Sequence, residues 1–204
     1  MNHLIYLHGF LSSPASQKAQ QAKRFFSSQH PDITVHIPTL LGDPDSAVTT
    51  VSALFQSIHT LESENKSVNQ DTPHIAFIGS SMGGFLSTYF AEKFNCKAAL
   101  INPAVRPFDL MASYLGSHIN PYTGEEFEIT PATIQSLRNL DTPISRDLER
   151  YMVFLQTGDE TLDYKLAVEK YGSSLCNIEQ GGDHSYVGFE NKLPQIARFL
   201  FPRS

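Results

Sequence analysis

The chain has 204 residues, 41% hydrophobic and 18% charged, with a formal net charge of −6. That length and composition point to one soluble globular domain over residues 1–204 with a sizeable core, and the acidic balance excludes a basic face for nucleic acid. No apolar run approaches the ~20 residues of a membrane helix, so neither a membrane nor a nucleic acid is an expected partner.

The start, Met1-Asn2-His3-Leu4, leads into a strand-like run and does not read as a signal peptide. Cys96 and Cys176 are far apart and in no metal or redox spacing, which fits free thiols in a reducing cytoplasm. The histidines form no metal-ligand motif, and neither a metal nor a cofactor is expected.

In chain order, Leu4 to Leu7 is a buried-strand run ending in His8-Gly9-Phe10. A backbone N–H in such a loop at a strand's C-terminal end can serve as an oxyanion donor. The candidate is the backbone N–H of Phe10, with Leu11 the next choice; Gly9 lets the backbone approach a substrate. His8 is read as a hydrogen-bonded, loop-shaping residue rather than a base. Ser13 or Ser16 caps a helix through about Ser28, and Ile33 to Ile37 is a second strand. Asp45 or Ser46 caps a helix through about Leu61, followed by a polar, exposed loop over residues 62–73.

Next comes the stretch that organises the rest. Ile75 to Ile78 is a short apolar run, Gly79-Ser80-Ser81-Met82-Gly83 a G-x-S-x-G turn, and Phe85, Leu86, Tyr89 and Phe90 fall at helical spacing. Strand, G-x-S-x-G and helix together make a nucleophile elbow. The turn forces Ser81 to positive φ and leaves no room for side chains at positions 79 and 83. It raises the Ser81 hydroxyl above the sheet and aims the Met82 N–H, at a helix N-terminus, toward a developing oxyanion. A phosphate-binding loop would need Lys after Gly84, and a dinucleotide fingerprint would need glycine at position 81; neither is present.

Ala98 to Ile101 is the fourth strand and ends at Asn102-Pro103. Residues 105–149, with several prolines and aromatics, are too long for a plain connection and are expected to hold short helices forming a lid. Tyr151 to Gln156 is the fifth strand, ending in Thr157-Gly158-Asp159-Glu160. A helix follows over Leu162 to Tyr171, then a sixth strand, Leu175 to Glu179, ending in Gly181-Gly182-Asp183-His184. A last helix covers Val187 to Leu200, with Pro194 near its first turn.

Alternating strands and helices imply an α/β fold: a six-stranded parallel sheet of order 2-1-3-4-5-6 with helices on both faces. Sites in such sheets gather at the C-terminal strand ends, where Ser81, Asp159 and His184 fall in the chain order of α/β-hydrolases. Proton accounting assigns the roles. Ser81 attacks, His184 takes its proton and returns it to the leaving group, and Asp159 orients the imidazole. Among competing acids, Glu160 points elsewhere if Asp159 points inward, Asp163 reads as an early helix residue, and Asp183 diverges from its neighbour His184. Asn102 occupies an alternative acid position without the charge, and Asp109 is a distant second. The expected activity is serine carboxylic-ester hydrolysis on a small-molecule ester. A thioesterase with the same triad, or a binding protein with a vestigial site, are the alternatives.

The chain also resembles the YqiA/UPF0227 group of small bacterial esterases within the α/β-hydrolase fold. The matching segments are Leu-Ile-Tyr-Leu-His-Gly-Phe at 4–10, Gly-Ser-Ser-Met-Gly-Gly at 79–84, Asn-Pro-Ala-Val-Arg-Pro at 102–107, Asn-Pro-Tyr-Thr-Gly at 120–124, Thr-Gly-Asp-Glu at 157–160 with Leu-Asp-Tyr at 162–164, and Gly-Gly-Asp-His at 181–184. The resemblance implies a cytoplasmic carboxylesterase preferring short acyl esters, with Ser81, Asp159 and His184 catalytic. Arg106 and Tyr122 are the lid-side residues expected nearest the substrate. Arg106 could hold an anionic group or could instead tie the insertion to the core.

Overall fold

A computed structural model describes residues 1–64, 73–144 and 147–202. Six parallel strands form the central sheet: β1 (Asn2–Leu7), β2 (Ile33–His36), β3 (His74–Ser80), β4 (Ala98–Ile101), β7 (Tyr151–Gln156) and β8 (Leu175–Glu179). Their order is β2-β1-β3-β4-β7-β8. The labels depart from 2-1-3-4-5-6 because a separate antiparallel pair, β5 (Gly116–Ile119) and β6 (Glu126–Ile129), intervenes in the chain.

Side-chain alternation along these strands produces the layers. Ile5, Leu7, Phe77, Leu100, Val153 and Leu155 face one buried cluster, which includes residues of α2 (Pro44–Glu64), α3 (Met82–Phe94) and α6 (Tyr164–Tyr171). Leu4, Tyr6, Ala76, Ile78, Ile101 and Phe154 face the other, packed by α1 (Gln17–Gln29) and α7 (Leu193–Leu200). Strands covered on both faces are apolar throughout, so β1, β3, β4 and β7 read as continuous hydrophobic runs rather than alternating ones.

Several element ends differ from the expectation. The helix α2 starts at Pro44, because the Asp43 carboxylate accepts the Ser46 N–H at 2.8 Å and caps it two residues before Asp45 and three before Ser46. It runs to Glu64, and the loop expected beyond it lies mostly outside the described residues. Asp163 is the N-cap of α6, its carboxylate accepting the Lys165 N–H at 3.0 Å, not a residue within the helix. The last helix begins only at Leu193, with Pro194 in its first turn; a 3-10 turn, Phe189–Lys192, precedes it.

The long insertion holds α4 (Pro107–Met111), the β5–β6 hairpin and α5 (Pro131–Asn139). The hairpin was not foreseen. Its turn is built by Asn120, whose side-chain oxygen accepts the Tyr122 N–H at 2.9 Å. The Asn120 amide also donates to the Ser12 carbonyl at 3.0 Å and so pins the hairpin to the loop after β1. The Phe10 ring sits edge-on to Tyr114, His118 and Phe127, with centroids 5.9, 6.3 and 5.8 Å away. An aromatic cluster thus fastens the insertion to the segment that bears the Phe10 N–H.

Candidate active site

Ser81 leaves β3 with φ 56° and ψ −121°, an outlying conformation for a residue with a side chain. Its surroundings hold it there. The Ser81 N–H donates to Ile101 O at 3.1 Å, and Ser81 O accepts from Gly84 N at 2.8 Å and Ala104 N at 3.0 Å. A Cβ at Gly79 would lie 2.3 Å from Gly83 O, and one at Gly83 would lie 1.9 Å from Leu7 O. The two glycines of the motif are therefore required by backbone-to-backbone approach.

The hydroxyl of Ser81 lies 3.0 Å from His184 Nε2. The other ring nitrogen, Nδ1, is 3.0 and 2.9 Å from the Asp159 oxygens. A carboxylate only accepts, so Nδ1 carries the proton and the Nε2 lone pair faces the Ser81 O–H. The Asp159 side chain is 2% exposed, and it also accepts the Thr161 and Leu162 N–H groups at 2.9 and 2.8 Å. Burial alone would raise its pKa. The His184 hydrogen bond, the Leu162 N–H, the His184 charge and the Thr161 N–H outweigh burial and hold the carboxyl below its ordinary value.

That shift sets a pH dependence of stability. With the folded pKa below the unfolded value of about 3.8, the unfolded chain binds more protons in the interval between the two. Asp159 therefore contributes full stability above that interval and loses it as pH falls through the folded pKa. In urea unfolding, the stability gap between wild type and Asp159→Asn is expected to be constant near neutrality and to shrink on acidification below about pH 4. A gap independent of pH would show that the fold does not hold the carboxyl down.

His8, 2% exposed, accepts the Leu40 N–H at Nε2 (3.2 Å) and lies 3.0 Å from Gly9 O through Nδ1. Those partners require a neutral ring protonated at Nδ1, and burial lowers its pKa. It shapes the loop after β1, as expected. That loop brings Gly9 against Ser81: a Cβ there would be 3.2 Å from Ser81 Cβ. The Phe10, Leu11 and Met82 N–H groups donate to no protein acceptor among the described residues.

Two spaces lie at the elbow, one against Met82 and the loop after β1, the other against Ser81 itself. One is a narrow apolar cavity of about 40 Å³, lined by Phe10, Leu11, Leu40, Met82 and Leu86 together with Met111, Phe127, Ile129 and Leu137 of the insertion. The other is an open cleft of about 380 Å³, lined by Ser81, His184, Tyr6, Lys18, Tyr122 and Glu160. Tyr122 lines the cleft that holds Ser81, and Leu11 lines the apolar cavity beside Met82. Arg106 lines neither space and pairs with Asp109 at 2.6 Å. Asp109 also binds Arg138 at 3.3 Å, and both guanidinium groups lie over Phe108, so this cluster stitches α4 to α5. Placing Arg106 at the substrate is corrected on this ground, and Asp109 is likewise committed elsewhere.

Two buried polar residues hold the histidine loop and escaped sequence reasoning. Gln156 accepts the Asp183 and Val187 N–H groups at 3.2 and 2.9 Å and donates to Val187 O at 2.9 Å. Asn102 accepts the Gln156 N–H and donates to Asp183 O, each at 3.0 Å. A polar residue closing an otherwise apolar strand, as Gln156 closes β7, was the available signal. Glu160 accepts the His184 N–H at 3.0 Å.

Among the described residues, no cluster of side chains suits a metal ion and no helix is long and apolar enough to cross a membrane. A family model described as "Uncharacterised protein family (UPF0227)" matches residues 3–201. Among solved structures, an α/β serine hydrolase without lid from Xanthomonas campestris superposes with a TM-score of 0.65 at 12% identity, covering 100% of this chain and 84% of that one. Est1E from Butyrivibrio proteoclasticus, bound to ferulic acid, gives 0.64 at 13%, covering 98% and 88%. A Pyrococcus furiosus esterase gives 0.62 at 13%, covering 98% and 80%. At such identities the likeness establishes the α/β-hydrolase fold.

Proposed function

The chain belongs to the UPF0227 family, and from that premise and the geometry at Ser81 we propose that it is a serine carboxylic-ester hydrolase working through an acyl-enzyme. The observation that carries the reading is a strained serine whose hydroxyl meets a histidine already oriented by a buried carboxylate. Ser81 Oγ attacks the ester carbonyl while its proton passes to His184 Nε2. The oxygen of the tetrahedral intermediate is received by the Phe10 and Met82 N–H groups. Collapse breaks the bond to the alcohol, which leaves with the proton from Nε2, and the acyl group stays on Ser81. Water, deprotonated by His184, attacks the acyl-enzyme; the acid departs and Ser81 regains its proton. Asp159 remains ionised throughout and stabilises the imidazolium.

Proton delivery fixes the sides. The departing alcohol needs His184, so it occupies the open cleft, and the acyl chain enters the apolar cavity beside Met82. The insertion over residues 105–149 acts as a cap on a single hydrolase domain and walls that cavity with Met111, Phe127, Ile129 and Leu137. The free thiols of Cys96 and Cys176 fit a reducing compartment such as the cytoplasm.

Cavity size sets the acyl preference. A space of about 40 Å³ holds roughly three water-sized groups, enough for an acetyl to butyryl chain. With p-nitrophenyl esters, kcat/KM is expected to be highest from acetate to butyrate and to fall about tenfold or more by octanoate. Equal turnover of decanoate would overturn the short-chain assignment. Faster turnover of acyl-CoA thioesters than of matched oxygen esters would move the reading to a thioesterase.

A further inference from the structure

The cleft beside Ser81 carries two polar groups that the hydrolysis just derived does not use. Tyr6, near the end of β1, is 1% exposed but lines this cleft. Its hydroxyl has no hydrogen-bond partner among the described residues. That oxygen is not among the fully buried side-chain atoms left without a partner, so it opens to the cleft, where a ligand acceptor can take the place of solvent. Burial drives its pKa far up, so it is a neutral O–H donor.

Lys18 lines the same cleft from the first turn of α1. Its ammonium donates to Ser185 O at 2.7 Å, which uses one of its protons and leaves others to bind a ligand. Burial lowers its pKa, while the Asp183 and Asp159 charges support the protonated form. Ser12, Ser16 and Gln17 complete this wall, and the Ser16 side chain makes no cap bond to α1.

We propose that the alcohol half of the natural ester carries an anionic oxygen group, a carboxylate or a phosphate, seated by the Lys18 ammonium and the Tyr6 hydroxyl. The proposal rests on the serine-esterase reading, which puts the leaving group in this cleft. An ammonium and a neutral donor lining one cleft suit an oxyanion better than an uncharged alcohol. The Glu160 carboxylate also faces the cleft, although one oxygen accepts the His184 N–H. Its charge disfavours a polyphosphate and limits the ligand to a single small anionic group.

The test uses acetyl esters, which keep the acyl cavity occupied identically: acetoxyacetate, acetoxyethyl phosphate and uncharged methoxyethyl acetate. Lys18→Met is expected to lower the ratio of kcat/KM for the anionic ester over the uncharged one by about 10- to 100-fold, chiefly through KM. Lys18→Arg should restore part of that ratio, and Tyr6→Phe should lower it by a smaller factor. Whichever anionic ester shows the larger Lys18-dependent ratio identifies the carboxylate or the phosphate. An equal loss on charged and uncharged esters would overturn the proposal, because Lys18 would then act only through Ser185 O on the His184 loop. So would a wild-type ratio that Lys18→Met leaves unchanged. If the wild-type chain turns over none of these esters or the p-nitrophenyl series, the esterase reading fails and the proposal falls with it.

Discussion

Replacing Ser81 with alanine is expected to lower kcat/KM for p-nitrophenyl butyrate on the order of 10⁴–10⁶-fold. The size follows from what is lost. Without Oγ there is no acyl-enzyme, and His184 can act only as a base for water placed by the remaining oxyanion donors. The backbone that strains Ser81 is untouched, because its bonds to Ile101, Gly84 and Ala104 are main-chain bonds. Thermal unfolding of Ser81→Ala should therefore match wild type, separating chemistry from folding. A fluorophosphonate should label wild type once, at Ser81, and leave the variant unlabelled in intact-mass spectra. His184→Ala should cost nearly as much, and the double variant little more, because the two act as one unit. Undiminished turnover by Ser81→Ala would remove the nucleophile assignment. Absent labelling of a well-folded wild type that hydrolyses no ester would favour a hydrolase-fold binding protein.

A second large effect is expected from a single methyl group at Gly83. A Cβ there would meet Leu7 O at 1.9 Å, Leu7 C at 2.5 Å and His8 O at 2.7 Å. All three are main-chain atoms where β1 ends, Leu7 being paired with Gly79 of β3, and cannot rotate aside. Relief must come from separating α3 from β1, which disturbs both the elbow and the loop bearing the Phe10 N–H. Gly83→Ala is expected to destabilise the chain by about 3 kcal/mol or more, a fall in Tm of about 6–12 °C for a chain of this length. Activity should drop even below the unfolding transition. Gly181→Ala is the control. Nothing lies within 4 Å of its Cβ, and only its φ of 76° is penalised, at about 1–2 kcal/mol. If the two variants melt alike, close approach at Gly83 is not the constraint.

Fold and site differ in how far they could be read from residues. The runs at β1, β3, β4 and β7 are apolar because both faces are covered, so their strand character was visible locally. The β5–β6 hairpin was not, because its strands mostly alternate exposed and half-buried residues and its place is held by Asn120 reaching across to Ser12. Arg106 illustrates the same limit. A guanidinium beside an insertion could face substrate or protein, and only its spatial neighbours Asp109 and Phe108 decide.

By itself the sequence determined the sheet's strands, the sharp turn at Ser81 and the assignment of Ser81, Asp159 and His184 to strand ends. Each depends on short-range chemistry: hydrophobic runs, glycine spacing and a polar residue just past a strand. Tertiary structure alone decided what surrounds them. It placed Tyr6 and Lys18 in one cleft, gave Gln156 and Asn102 to the histidine loop, and walled the apolar cavity with Met111 and Phe127. Those neighbours lie far apart along the chain, and their meeting depends on how the layers pack, which no local pattern encodes.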